Sequence, residues 1–236
     1  MSLCGRTGKK MFNYNLNKIS KSLIHEGYNI NDPWDIVDAF EDKIAKFAGS
    51  KYAVSCDSCT NAMFMCLKYL NASGVITLPE RTYLSVPGLV IHAGCEVEFK
   101  DIEWTGVYPL DPYPVIDGAT RFTKDMYVKN TYHCLSFHIR KILPIAKGGM
   151  ILTDNKDAVE WFKRARYEGR NNRISHDSID DIDFLGWNFY MPPEQAARGI
   201  EIFDNLPPIN PDSGGSWKYK DLSNYSVWKD HLYTSK

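Results

Sequence analysis

Apolar residues along this chain alternate between helical spacing and short continuous runs. Val37, Phe40, Ile44 and Phe47 recur with helical period after Asp32-Pro33, a cap with proline in the first turn, and Gly49 stops the run. Residues 52–55 then read as a strand, 59–70 as a helix with Ala62, Met63, Cys66, Leu67 and Leu70 inward, and 75–78 as a second strand. A helix over 82–92, despite Pro87, and strands at 96–99, 115–116, 133–137 and 150–153 follow, with further helices over 156–167 and 194–203. This alternation predicts an α/β fold: a mostly parallel central sheet with helices on both faces. In such folds ligands gather in the loops beyond the strand ends.

Composition narrows the function classes. With 44% hydrophobic and 24% charged residues, the 236-residue chain can build a real core, either as one large domain or as a domain with an appendage. A net charge of -1 with no basic block gives no electrostatic case for nucleic acid or an anionic membrane. No apolar run approaches the roughly 18 residues of a membrane span, and residues 1–10 lack the apolar stretch of a secretory signal. A cytoplasmic location is the default expectation. The six cysteines, Cys4, Cys56, Cys59, Cys66, Cys95 and Cys134, read as reduced and mostly core. Cys56 and Cys59 have C-x-x-C spacing, yet no second pair follows at zinc spacing and the histidines are dispersed, so no metal site is expected.

Four loops carry candidate chemistry. Ser58-Cys59-Thr60-Asn61 precedes a helix, where hydroxyls, backbone N–H groups and the helix dipole converge on an anion such as phosphate, although Ser and Thr there also serve as ordinary caps. Tyr83 follows the 75–78 strand and offers either a flat stacking face or a core side chain. Asp117 closes the strand at 115–116, where a carboxylate pairs with a protonated ring nitrogen or caps a turn. Ser136 and Lys141 end the fourth element, Ser136-Phe137-His138-Ile139-Arg140-Lys141. A lysine there is a solvated surface group or one that forms a Schiff base with a carbonyl cofactor.

Taken in order, Phe40-Glu41, the 49–54 segment, Ser58 to Ala62, Pro79 to Tyr83, Asp117-Gly118-Ala119, Ser136-Phe137-His138 with Lys141 and Gly148-Gly149 form a pattern. Downstream come Thr153-Asp154-Asn155, Arg166 to Arg170, Gly186 to Met191 and Glu194 to Ala197. Over roughly residues 30 to 205 this set resembles the DegT/StrS family of PLP-dependent sugar aminotransferases, of the aspartate aminotransferase fold type I. The resemblance implies pyridoxal 5'-phosphate as cofactor, Lys141 as its Schiff-base residue and proton shuttle, and Asp117 as partner of the pyridinium nitrogen. It implies Tyr83 as the stacking aromatic and Ser58, Cys59 and Ser136 as the phosphate-binding positions, Cys59, usually glycine in the family, through its backbone N–H, with Thr60 and Asn61 as second candidates. It further implies transfer of an amino group, typically from glutamate, to the keto group of a nucleotide-linked sugar, in a homodimer whose sites borrow residues from the neighbour.

The chain also departs from that pattern. Thr120 stands where the family usually carries Gln or His beside the cofactor, and Ile142 and Lys147 stand where Asn and Glu are common. Only fifteen residues separate Asp101 from Asp117, where the family adds a strand and a helix. Residues 1–205 are therefore expected to form a shortened PLP-binding large domain, and 206–236 a tail, remnant of a largely missing small domain. Two function classes stay open: an active sugar aminotransferase, favoured by the joint presence of Asp117 and Lys141, and a binding or auxiliary homologue, favoured by the shortened carboxyl end. A dehydratase of the same family usually replaces the lysine with histidine, so Lys141 speaks against it.

Overall fold

The computed structural model describes residues 14–175, 177–178 and 182–233; Cys4 and the 1–10 segment lie outside them. Its elements are α1 (Tyr14–His25), α2 (Trp34–Ala48), β1 (Tyr52–Cys56), α3 (Cys59–Tyr69), β2 (Val75–Pro79), α4 (Ser85–Ala93) and β3 (Glu96–Lys100). After these come β4 (Tyr108–Pro109), β5 (Val115–Asp117), β6 (Tyr132–Ser136), β7 (Gly149–Thr153), α5 (Lys156–Ala165) and α6 (Pro193–Phe203). Helix α2 starts where Asp32 Oδ1 accepts the Trp34 N–H at 2.7 Å, and it ends at Gly49, whose φ of 84° is the left-handed conformation that closes a helix. The apolar spacing did not mark α1, which buries Leu16, Ile19 and Leu23.

The α/β class is as expected, but the sheet is mixed. Five strands run in the order β1-β7-β6-β5-β4, and β7 is antiparallel to both β1 and β6. The reason lies in the connection: residues 137–148 hold no crossover helix. They fold back through Phe137 N–H to Gly148 O and Ile139 N–H to Ala146 O, so the chain returns alongside itself reversed. Strands β1, β6 and β5 share one direction, which leaves Cys56, Ser136 and Asp117 at the same edge. Between β3 and β5 the chain adds only the two-residue β4, and β2 and β3 form a separate parallel pair, bridged to this stretch where Thr77 meets Asp111.

Side chains alternate faithfully between two cores. Val54, Cys134 and Ile151 face a cluster covered by α3, α4 and α5, whereas Ala53, Leu135, Met150 and Leu152 face one covered by α1, α2 and α6. Both faces are thus sealed, as expected. Phe40 and Phe137 meet there with ring centroids 5.6 Å apart, and each such buried side chain contributes about 1.5–3 kcal/mol of transfer free energy.

One buried ion pair ties the layers. Glu41 of α2 accepts from Ser55 N–H and Ser55 Oγ, both at 2.8 Å, and from Arg166 Nη1, which also donates to Ser55 O at 2.6 Å. Two members of the sequence pattern, Glu41 and Arg166, therefore meet in the interior as structural partners.

The tail after α6 returns to the body of the protein. Arg121 holds Asp212 through two bonds of 2.8 and 2.6 Å, Ser216 N–H reaches Trp104 O, and Leu222 N–H reaches Glu80 O. Farther on, Tyr233 N–H donates to Val97 O, and Trp228 is buried.

Candidate active site

A cleft of about 1030 Å³ opens at the shared strand edge, and all eight residues singled out from the sequence line it: Ser58, Cys59, Thr60, Tyr83, Asp117, Thr120, Ser136 and Lys141. The fold assembles them from different loops. At one end, α3 begins with Ser58 Oγ accepting the Asn61 N–H at 3.2 Å, so the capping role is real. The cap leaves the N–H groups of Cys59 and Thr60 without acceptors among the described residues, at the positive end of the helix dipole. This helix start presses against β7, because a Cβ on Gly149 would lie 2.3 Å from Ser58 C and 2.5 Å from Cys59 N; only glycine permits that approach. Ser136 Oγ accepts the His138 N–H at 3.4 Å beside it.

Asp117 is buried on the cleft floor. Its Oδ2 accepts from Tyr108 Oη at 2.7 Å and its Oδ1 from Ala119 N–H at 2.9 Å, with Cys59 Sγ at 3.9 Å. Burial pushes the carboxyl above its ordinary range, against the opposing pull of the Tyr108 hydroxyl, the Ala119 N–H and the Lys141 charge. Lys141 is half-buried, interacts electrostatically with Asp117, and its Nζ makes no hydrogen bond or ion pair among the described residues. A long flexible amine held near a buried carboxylate, with no structural partner, is available for chemistry.

Three residues of the cleft have neighbours that the sequence did not show. Tyr83 is 60% exposed and meets Tyr219 edge-on at 6.5 Å, so it stands at the cleft mouth. The Thr120 hydroxyl is engaged by Gly106 O and Gly214 O, both at 3.0 Å, which makes it an anchor for the tail. Lys147 pairs with Asp57 at 3.2 Å on the cleft rim. Cys56 and Cys59 are free buried thiols whose Sγ atoms turn to Ser58 O and Asp117, and the other described cysteines are likewise free. Burial first, and Asp117 second, hold the Cys59 thiol well above its ordinary range.

The cleft also contains groups that no motif marked. Trp104 comes from the short 102–116 stretch, and Ser213, Lys218 and Tyr219 from the tail. Tyr219 stacks on Trp104 with centroids 5.7 Å apart, and burial followed by the Asp117 charge pushes its phenol up to about 12. Aromatic residues and a lysine in the tail were visible in the sequence, but nothing local showed which of them reach the cleft.

An α/β cleft with a helix N-terminus at one end, a buried carboxylate on its floor and, between strand ends, a lysine amine without a partner among the described residues has the chemical make-up that cofactor-dependent group transfer requires. A model of the DegT/DnrJ/EryC1/StrS aminotransferase family matches residues 21–126 and 118–212, and the chain belongs to that family. Its aminotransferases use pyridoxal phosphate. The chain is 36% identical to the spore coat polysaccharide biosynthesis protein SpsC of Bacillus subtilis, over 72% of this chain and 57% of that protein. It is 23% identical to the UDP-4-amino-4,6-dideoxy-N-acetyl-beta-L-altrosamine transaminase of Campylobacter jejuni, over 72% and 57%. The chain thus spans little more than half the length of these relatives. A crystal structure of a DegT DnrJ EryC1 StrS aminotransferase from Brucella abortus shares the fold, with a TM-score of 0.64 at 16% identity, covering 97% of this chain and 87% of that one.

Proposed function

We propose that this protein binds pyridoxal 5'-phosphate and transfers an amino group, from glutamate or a similar donor, to the keto group of a nucleotide-linked sugar. One observation carries the reading: an unpartnered lysine amine and a buried carboxylate share a cleft whose far end is a helix N-terminus with open N–H groups. Those residues fit the cofactor. Thr60, Ser136 and the N–H groups of Cys59 and Thr60 are disposed to take a phosphate, with Ser58 holding the helix start in place.

When bound, the cofactor supplies an electrophilic carbonyl and an electron-withdrawing ring. Lys141 is the residue to hold it covalently and to carry the proton at the reacting carbon. Asp117 offers a carboxylate oxygen to a ring N–H, and burial strengthens that contact by excluding water. A two-stage exchange of donor for acceptor follows from a single amine-carrying site. The exposed apolar residues Tyr83 and Ile139 of the cleft, with Leu84 next in the chain to Tyr83, support a homodimer. The names of the relatives from Bacillus subtilis and Campylobacter jejuni support a polysaccharide or nucleotide-sugar setting.

Absorbance spectroscopy with added pyridoxal phosphate tests the first part: a visible band and a borohydride-trapped adduct on the Lys141 peptide are expected. Protein that shows neither refutes the reading. Added glutamate then bleaches the band with release of 2-oxoglutarate; binding without that step leaves an auxiliary, non-catalytic homologue. Sedimentation checks the dimer.

A further inference from the structure

Asp117 is gripped by a group that belongs to no motif. Each of its two oxygens is held, Oδ1 by Ala119 N–H at 2.9 Å and Oδ2 by Tyr108 Oη at 2.7 Å. A carboxylate can only accept, so the phenol must donate. The Thr82 hydroxyl lies in hydrogen-bond contact with the same Tyr108 oxygen, and since that oxygen has given its proton to Asp117, Thr82 donates in turn. The chain Thr82 to Tyr108 to Asp117 therefore has one direction and ends on the carboxylate. All three residues are buried.

The phenol is itself immobilised. Its ring packs on Trp104 at 4.7 Å between centroids, and Trp104 is fixed by its Nε1–H bond to Arg81 O at 2.9 Å. Tyr108 comes from β4, in the short stretch between β3 and β5, and it pairs there with Asp117 itself across the strands. We propose that Tyr108 is the positioning residue for Asp117: relayed from Thr82, its hydroxyl fixes the plane of the carboxylate and keeps that group an acceptor facing the cleft. The proposal rests on the reading of this cleft as a pyridoxal phosphate site, in which Asp117 must present one oxygen to a ring N–H. Charged and titratable groups facing Asp117 come from every side: Tyr108 from β4, Cys59 from α3, Cys134 from β6, Lys141 from the 137–148 loop and Tyr219 from the tail. Of the side chains among them, Tyr108 has the closest hydrogen bond to the carboxylate, with Cys59 Sγ at 3.9 Å.

Tyr108→Phe retains the ring and its packing on Trp104 while removing the donor. In cofactor-free protein, difference infrared spectroscopy against Asp117→Asn follows the carboxyl directly, and Asp117 is expected to titrate at a higher pH in Tyr108→Phe than in wild type. Pyridoxal phosphate is expected to bind about tenfold more weakly, the loss of one hydrogen bond to a charged group. Thr82→Val, one step removed, should shift both readouts the same way by less, and it serves if Tyr108→Phe does not fold. An Asp117 titration identical in wild type and both variants overturns the assignment. Wild-type protein that binds no cofactor would sink the cofactor reading, while the infrared comparison still decides the role of Tyr108.

Discussion

Glu41 and Asp117 are two carboxylates buried to the same extent, 4% and 5% exposed, yet they sit in opposite chemical settings. Glu41 faces a full cation: Arg166 donates to it, Ser55 donates twice, and Lys163 Nζ lies 3.6 Å from its other oxygen. Its charge is cancelled inside the fold, and its work is to tie α2 to β1 and α5. Asp117 faces neutral donors, Tyr108 and Ala119, with a lysine nearby whose amine bonds to nothing among the described residues. Burial there is only partly compensated, so the carboxyl is pushed up. Equal burial therefore separates a structural charge from a reactive one only when the partners are counted, because an opposite charge stabilises the ionised form and neutral dipoles leave it open to a ligand.

Mutations can break this contrast in order of decreasing effect. Lys141→Ala should abolish the cofactor absorbance band and the borohydride adduct while leaving the melting temperature unchanged, since the amine holds no structural bond; a fall in stability would place Lys141 with the structural charges. Arg166→Met strips the buried Glu41 of its bonded cation and leaves only Lys163, 3.6 Å from its other oxygen, so chemical denaturation should register a loss of up to about 3–5 kcal/mol. The double variant Arg166→Met with Glu41→Leu should recover much of that loss.

His133 sharpens the contrast with a third buried group. Both ring nitrogens lack partners among the described residues, and burial, reinforced by the Arg121 charge, lowers it to about 4 from the ordinary 6.5. A folded-state value depressed in this way favours folding above pH 6.5 and withdraws that contribution as pH falls toward 4, by about 3 kcal/mol. Urea midpoints for wild type should drop across that window, and those of His133→Leu should drop less. Asp117 has the opposite sign: raised in the folded protein, it costs stability at neutral pH and releases that cost as pH falls through its folded value to the ordinary carboxylate value. Asp117→Asn should therefore melt higher than wild type at pH 7, with the gap closing in acid, and should bind no pyridoxal phosphate. A lower melting temperature at pH 7 would mean that the carboxylate is structural after all.

The smallest effect concerns the tail. Thr120→Val removes the hydroxyl that holds Gly106 O and Gly214 O, at a cost of about 1 kcal/mol. Hydrogen exchange should rise at Gly106 and Ser213, whose N–H groups bond across the same seam, and stay unchanged at Ser55.

Helices α2, α3, α5 and α6 were legible because their apolar residues repeat on one face, and their ends carry Asp32-Pro33, Gly49 and Ser58. The strands were legible as short apolar runs, and Lys141, Asp117, Ser58 and Ser136 as loop residues at their ends. Strand direction was not: only the helix-free return over 137–148 reverses β7, and the apolar run of a buried strand reads the same either way. Tyr83 and Thr120 were legible as cleft residues, but their neighbours were not, since Tyr219 and Gly214 reach them from far along the chain.

Local order in the amino-acid sequence determined which segments are helix and strand and which polar residues stand at strand ends, because period, caps and turns act between near neighbours. Tertiary structure alone decided what each charge and hydroxyl meets: Glu41 with Arg166, Tyr108 with Asp117, Tyr219 with Trp104. Those pairings depend on burial and hydrogen-bond geometry between residues distant in the chain, and no short-range pattern encodes them.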